Sequence, residues 1–190
     1  FYKKTKPTPY DEAVSLIWYL ENVFYHSVSK IYNYIQNNIY DGNPMDNEII
    51  DLGFWPGGDR DGNPFVTTQI TLDVAARLRQ AVLRSYYRDI RRLKRRFTFD
   101  GVQEILSKIE KRLYKHVVRS YSKVNFSQNI FLDELAKARK IIEEKHQSLF
   151  IEELDDFINK VRIFGFHFAT LDIRQDSRVH HTAFTQIVKD

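Results

Sequence analysis

Apolar residues recur at helical spacing along most of this chain, and at two places that spacing gives way. Ala13, Leu16, Ile17, Leu20, Phe24, Val28, Ile31 and Ile35 step mostly by three and four. The pattern predicts a long amphipathic helix over about 10–37 with those side chains on its buried face. Pro7, Thr8 and Pro9 punctuate its entry, Asp11 and Glu12 suit a helix N-terminus, and Asp41-Gly42-Asn43-Pro44 ends the region. Thr67 or Thr68 offers a cap for a second long helix over about 68–96. Further helices are expected near 101–121, 128–147 and 149–162, and a last one beginning near Val179.

The interruptions are short. Residues 52–56 read as a brief strand entering a loop over 54–66, which opens FWPGGDRDGNPF. Phe164 to Ile173 (FGFHFATLDI) alternates and is rich in aromatic and β-branched residues, which predicts a buried strand over about 164–173. No internal repeat or low-complexity linker breaks the order. The expected fold class is mainly α, with long helices and two short strand segments.

Composition narrows the picture. The 190 residues fit one domain or part of a larger one, and 14% aromatic content argues against disorder. The chain starts at Phe1, and its one methionine is Met45. With no signal peptide either, the reading is a single segment, 1–190, from the middle of a longer polypeptide. Absence of cysteine excludes disulfides and thiolate metal sites and fits a reducing cytoplasm. No run approaches the roughly 18 apolar residues of a membrane span. Asn125-Phe126-Ser127 matches a glycosylation sequon and, without a secretion signal, reads as a chance match.

Charge offers one candidate. Between Arg77 and Arg96 there are nine arginines and lysines against one acid, Asp89, and Arg77, Arg84, Arg88, Arg91 and Arg95 share one helical face. That face could track a phosphate backbone as a nucleic-acid-binding module. The competing reading is a solvated or interface face, because acids elsewhere hold the net charge to +4 and no nucleic-acid motif accompanies it.

Other constellations carry less. Asp59-x-Asp61-x-Asn63 imitates a calcium loop, but Pro64 and Ile70 stand where such a loop needs Gly and Glu. His180 and His181 are adjacent without further ligands at metal spacing. His26, His116 and His146 sit in helical patterns, and His167 lies in the late strand, where alternation could aim it inward. The end of that strand, Leu171-Asp172-Ile173-Arg174-Gln175-Asp176, places charge where barrel and open α/β folds bind ligands. Arg174 could offer a planar fork to phosphate or carboxylate, or pair with Asp172 or Asp176.

Three ordered strings carry a resemblance. KPTPYDEA, FWPGGDRDGNPFVT and FGFHFATLDIRQDS together resemble phosphoenolpyruvate carboxylase, from Lys6 to Ser177. Pro56 stands where Met is common in that family, and Val179 where many members carry arginine. The spacing between the strings is shorter than in long members, as in a divergent bacterial branch. The resemblance implies a piece of a helix-rich (β/α)8 barrel. It implies a cytoplasmic lyase of carbon fixation and the tricarboxylic acid cycle. That enzyme joins phosphoenolpyruvate and bicarbonate, through carboxyphosphate and an enolate, to give oxaloacetate and phosphate. By family position Arg174 contacts the phosphate and Trp55 lines the apolar wall near the substrate methylene. Arg60, Asp59 and Asp61 brace the loop through ion pairs and backbone contacts, with substrate contact by Arg60 the second choice. Gly57, Gly58, Gly62, Asn63, Pro64, Asp172 and Gln175 complete the motifs as shaping residues.

The family's T-A-H-P-T-E histidine motif, its G-R-G-G loop, its lysine and its acidic Mg2+ or Mn2+ ligands have no counterpart in these residues. No catalytic residue and no metal ligand is therefore expected within the chain, and the chain is expected to be inactive alone. Its expected partners are the rest of its own polypeptide and further copies of the complete enzyme, not nucleic acid or membrane.

Overall fold

The computed structural model describes residues 6–43, 49–61, 63–118 and 126–189. Pro44, Met45, Gly62, Asn125 and the end of the helix expected over 101–121 lie outside the described residues. Seven α-helices and two short strands follow in order: α1 Pro9–Tyr19, α2 Tyr25–Ile39, β1 Gly53–Phe54, α3 Thr68–Arg96, α4 Val102–Val118, α5 Gln128–Lys145, α6 Ile151–Phe164, β2 Thr170–Leu171 and α7 Ser177–Lys189. The architecture is mainly helical, with β1 and β2 forming a two-stranded parallel sheet.

The first long helix begins with a capping box. Thr8 Oγ1 accepts from the Asp11 amide while the Asp11 carboxylate accepts from the Thr8 amide, and Pro9 fills the first helical position. Between α1 and α2 the helix passes through one π turn, Leu20–Phe24. That turn corrects the core expected here. A π turn adds a residue to the helical path, so the buried stripe runs Ala13, Ile17, Leu20 and then Tyr25, Val28 and Tyr32. Phe24 and Ile31, which regular spacing assigns inward, are 43% and 54% exposed.

Helix α3 is the organising element, packed against α1, the π turn, α4 and α6. Its N-cap is Thr67, whose hydroxyl accepts from the Ile70 amide, and Lys94, Arg95 and Arg96 complement the negative end of its dipole. Helices α4, α5 and α6 pack in sequence, and α2 closes onto α6. At the centre, Tyr86 contacts the rings of Tyr25, Phe131, Phe157 and Phe166. The Tyr86 hydroxyl donates to the Gly165 carbonyl at 2.7 Å, so the large aromatic is buried with its polar tip satisfied.

A buried ionic group joins α2, α3 and α6. The Tyr25 hydroxyl donates to Asp89 Oδ2 at 2.8 Å, and Lys160 Nζ lies 3.5 Å from the same oxygen and 2.6 Å from Asp156 Oδ2. Burial first, and the Asp89 carboxylate second, push the Tyr25 phenol well above its ordinary pKa, so it stays a donor. Asp89, the lone acid between Arg77 and Arg96, is thus turned inward as a structural charge.

The strand expected over 164–173 is corrected to Thr170–Leu171, and that expected over 52–56 to Gly53–Phe54. Alternating burial is present: Phe164, Phe166 and Phe168 are buried and His167 is exposed, not aimed inward. The backbone is not extended, because Gly165 (φ 52) and Phe168 (φ 70) take positive φ and fold the chain back on α6. The last helix begins at Ser177 rather than near Val179, and none of its residues is buried.

Candidate functional site

The two motif strings meet at the carboxyl ends of the parallel strands. Gly53 pairs with Thr170 and Phe54 with Leu171, and the Asp172 amide donates to the Phe54 carbonyl at 2.9 Å. Beyond β1 the chain turns at Trp55, whose carbonyl accepts from the Gly58 and Asp59 amides at 3.0 and 3.2 Å. It then rejoins the other string through an isolated parallel bridge between Asp59 and Arg174. There the Arg174 amide donates to the Gly58 carbonyl at 3.1 Å, and the Arg174 carbonyl accepts from the Arg60 amide at 3.0 Å.

Glycine is needed at both positions of the turn. A β carbon on Gly58 would lie 2.0 Å from the Asp172 carbonyl oxygen. One on Gly57, where φ is +83°, would lie 2.6 Å from Val74 Cγ2 on α3. The glycines therefore press the loop against β2 on one side and α3 on the other. Asp59 Oδ1 accepts from the Asp61 amide at 3.3 Å and Asn63 Oδ1 from the Phe65 amide at 3.1 Å, local bonds that hold the following turn. Pro64 and Asp61 are exposed, and Gly62 lies outside the described residues.

The side chains divide between solvent and interior. Arg174 is exposed, and among the described residues no carboxylate lies within ion-pair distance of it. Asp172 does not reach it, and Asp176 is held by Arg178, Nη2 to Oδ2 at 2.7 Å, a contact that lowers the Asp176 pKa. Gln175 turns back on the chain, its Oε1 accepting from the Asp176 amide at 3.0 Å. Trp55, on the loop that follows β1, is 49% exposed.

Arg60 points the other way. Its Nη2 donates to Thr71 Oγ1 on α3 at 2.8 Å, and that hydroxyl donates in turn to the Gly57 carbonyl at 2.7 Å. No ion pair of Arg60 with Asp59 or Asp61 forms among the described residues, so the loop is tied through a hydroxyl where ion pairs were expected. Thr71 escaped the sequence reading because it looks like an ordinary residue in the first turns of a helix.

The remaining candidates fall elsewhere. On the basic face Arg91 pairs with Glu110 at 3.7 Å and lies over the Tyr87 ring, while Arg88 donates to Ser85. A groove of about 510 Å³ lies between α3 and α4, lined by Tyr87, Glu110, Lys111, Tyr114, Lys115 and Val118. It contains no motif residue. Trp55 and Arg174 stand instead on an open surface at the carboxyl ends of the two strands. His116 stacks on Phe126, and burial holds its pKa below the ordinary histidine value. Among the described residues no group of three or more His, Asp or Glu side chains converges to hold a metal ion. No helix of the described residues is long and apolar enough to cross a membrane.

Comparison with known proteins agrees on one family. The family model described as Phosphoenolpyruvate carboxylase matches residues 1–127 and 102–190. The chain is 27% identical to the phosphoenolpyruvate carboxylase of Vibrio vulnificus (strain YJ016), aligning over 98% of this chain and 25% of that protein. It is 25% identical to that of Thermosynechococcus vestitus over 93% of this chain and 23% of the relative. To that of Acinetobacter baylyi it is 27% identical, over 98% and 24%. The chain thus spans about a quarter of the length of the curated relatives it matches.

Proposed function

The chain belongs to the phosphoenolpyruvate carboxylase family, and from that premise we propose that it forms one wall of that enzyme's substrate site. The observation that carries the proposal is the Asp59–Arg174 bridge at the carboxyl ends of two parallel strands. It fixes the backbone of an exposed arginine beside a half-exposed tryptophan, at the end of a parallel sheet where barrel enzymes bind substrate. β1 and β2 would be two strands of the (β/α)8 barrel.

In this reading the Arg174 guanidinium takes the phosphate of phosphoenolpyruvate. A fixed cation there binds the ground state and stabilises charge gathered on the phosphoryl oxygens as the phosphate passes to bicarbonate. Trp55 offers an apolar face to the methylene carbon that becomes carboxylated, excluding water from the enolate. Arg60 serves the loop and not the substrate, since its guanidinium is turned onto α3.

The divalent ion of the family, Mg2+ or Mn2+, does not fit the residues described, since among them no cluster of His, Asp or Glu converges to hold it. The product would be oxaloacetate, made in the cytoplasm by an oligomer of the complete enzyme, a lyase of carbon fixation and the tricarboxylic acid cycle. The chain by itself should make none. An oxaloacetate assay coupled to NADH oxidation tests this: a blank trace with the isolated chain is expected, and measurable turnover would overturn it. The nucleic-acid reading of the 77–96 face has no support in these comparisons.

A further inference from the structure

Thr71 is buried, 6% exposed, and bonds both ends of the loop segment that is hydrogen-bonded to the Arg174 backbone. Its hydroxyl accepts from Arg60 Nη2 at 2.8 Å and donates to the Gly57 carbonyl at 2.7 Å. Gly57 and Arg60 bracket the loop segment that bonds both sides of the Arg174 backbone, through the Gly58 carbonyl and the Arg60 amide. Arg60 Nε is enclosed without a partner, so among the described residues Thr71 Oγ1 is the acceptor that the Arg60 guanidinium finds. The bland alternative is a helix threonine bonding back one turn. Its Oγ1 does lie 3.2 Å from the Thr67 carbonyl, but the Gly57 carbonyl is nearer at 2.7 Å and belongs to the loop.

We infer that Thr71 is a positioning residue for the substrate arginine. It bolts the GGDR loop to the N-terminal end of α3, and through the two backbone hydrogen bonds of Arg174 it sets where that guanidinium stands. A hydroxyl suits the task because one oxygen can accept from the guanidinium and donate to the carbonyl at once. Valine keeps the shape and loses both bonds. The inference rests on the proposed role of Arg174.

Two measurements test it. In the isolated chain, amide hydrogen exchange of Thr71→Val should speed up at Arg60 and Arg174 while amides of the α3 core such as Ile90 keep their protection. In the complete enzyme carrying this segment, Thr71→Val should raise the KM for phosphoenolpyruvate by roughly ten- to a hundredfold, as expected for a displaced binding group. kcat should fall less, and Thr71→Ser should restore most of the loss. Arg60→Met, which removes the other half of the bolt, should act in the same direction, and the double variant should be no worse than the poorer single one. Should Thr71→Val fail to fold, Arg60→Met carries the test in its place. Wild-type KM in these variants, beside a raised KM in Arg174→Ala, would overturn the role of Thr71 and leave the site standing. A wild-type KM in Arg174→Ala would overturn the site itself.

Discussion

Gly58 and Asp172 approach so closely that a β carbon on the glycine would stand 2.0 Å from the aspartate's carbonyl oxygen. Both residues are tied through backbone hydrogen bonds, Asp172 to Phe54 and Gly58 to Trp55 and Arg174, so neither can step aside as a flexible side chain would. This contact sets the distance between the two motif strings. A comparison of glycines makes the first prediction. Gly58→Ala should open the pairing beyond Phe54, seen as lost exchange protection at the Arg60 and Arg174 amides. Gly42→Ala meets no atom within 4 Å and carries only the demand of a positive φ, +76°, which Gly58 does not have. It should cost about 1–2 kcal/mol of local strain and leave those amides protected.

The buried charges predict a stability effect with a sign that depends on what replaces them. Lys160 is 3% exposed and Asp89 is 6% exposed. Asp89→Ala leaves the buried Tyr25 hydroxyl without its acceptor and the Lys160 ammonium with Asp156 alone, and should cost roughly 1–3 kcal/mol in urea unfolding. Replacing Asp89 and Lys160 together by leucine and methionine should recover much of that loss.

Protonation of histidine gives a pH dependence. Burial, with Arg79 nearby, holds the His116 pKa below 6.5, and burial, with Lys160 nearby, does the same to His26. A group whose folded pKa is depressed binds protons more readily when unfolded. Stability is then fully present above 6.5 and falls as pH drops through the lowered folded values. Thermal unfolding from neutral to mildly acidic pH should show a falling midpoint, and the slope should flatten in His116→Gln. An unchanged slope would assign the dependence to other groups.

Trp55 separates fold from function. With half its surface in solvent, Trp55→Ala should change stability by no more than about 1 kcal/mol. The same variant in the complete enzyme should lower kcat/KM for phosphoenolpyruvate by tenfold or more, since a stable loop would have lost its apolar wall. A large drop in melting midpoint would mean that the ring is structural.

Much of the helical order was legible from spacing, because amphipathic stripes and caps such as Thr8 and Thr67 are local signals. The π turn was not. Nothing in Leu20–Phe24 announces an added residue, so Phe24 and Ile31 turn outward and Tyr25 and Tyr32 inward, while Val28 stays buried. The alternation of Phe164, Phe166 and Phe168 reported burial correctly but not backbone, since a folded-back turn with positive φ at Gly165 and Phe168 can bury every second side chain as a strand does. The meeting of Asp59 with Arg174 could not come from local pattern at all. The family resemblance placed the two strings at one site without pairing these residues, and Thr71, in neither motif's charged core, was visible only once the loop was seen lying on α3.

The central claim is that Arg174 is the phosphate-binding hand of the site. Its most direct test is kcat/KM for phosphoenolpyruvate in Arg174→Ala of the complete enzyme, measured beside the thermal midpoint. The guanidinium is exposed and unpaired among the described residues, so the midpoint should stay within about a degree or two of wild type. kcat/KM should fall on the order of 10²–10³-fold, the usual cost of removing a preorganised donor. Wild-type kcat/KM at an unchanged midpoint would contradict the claim.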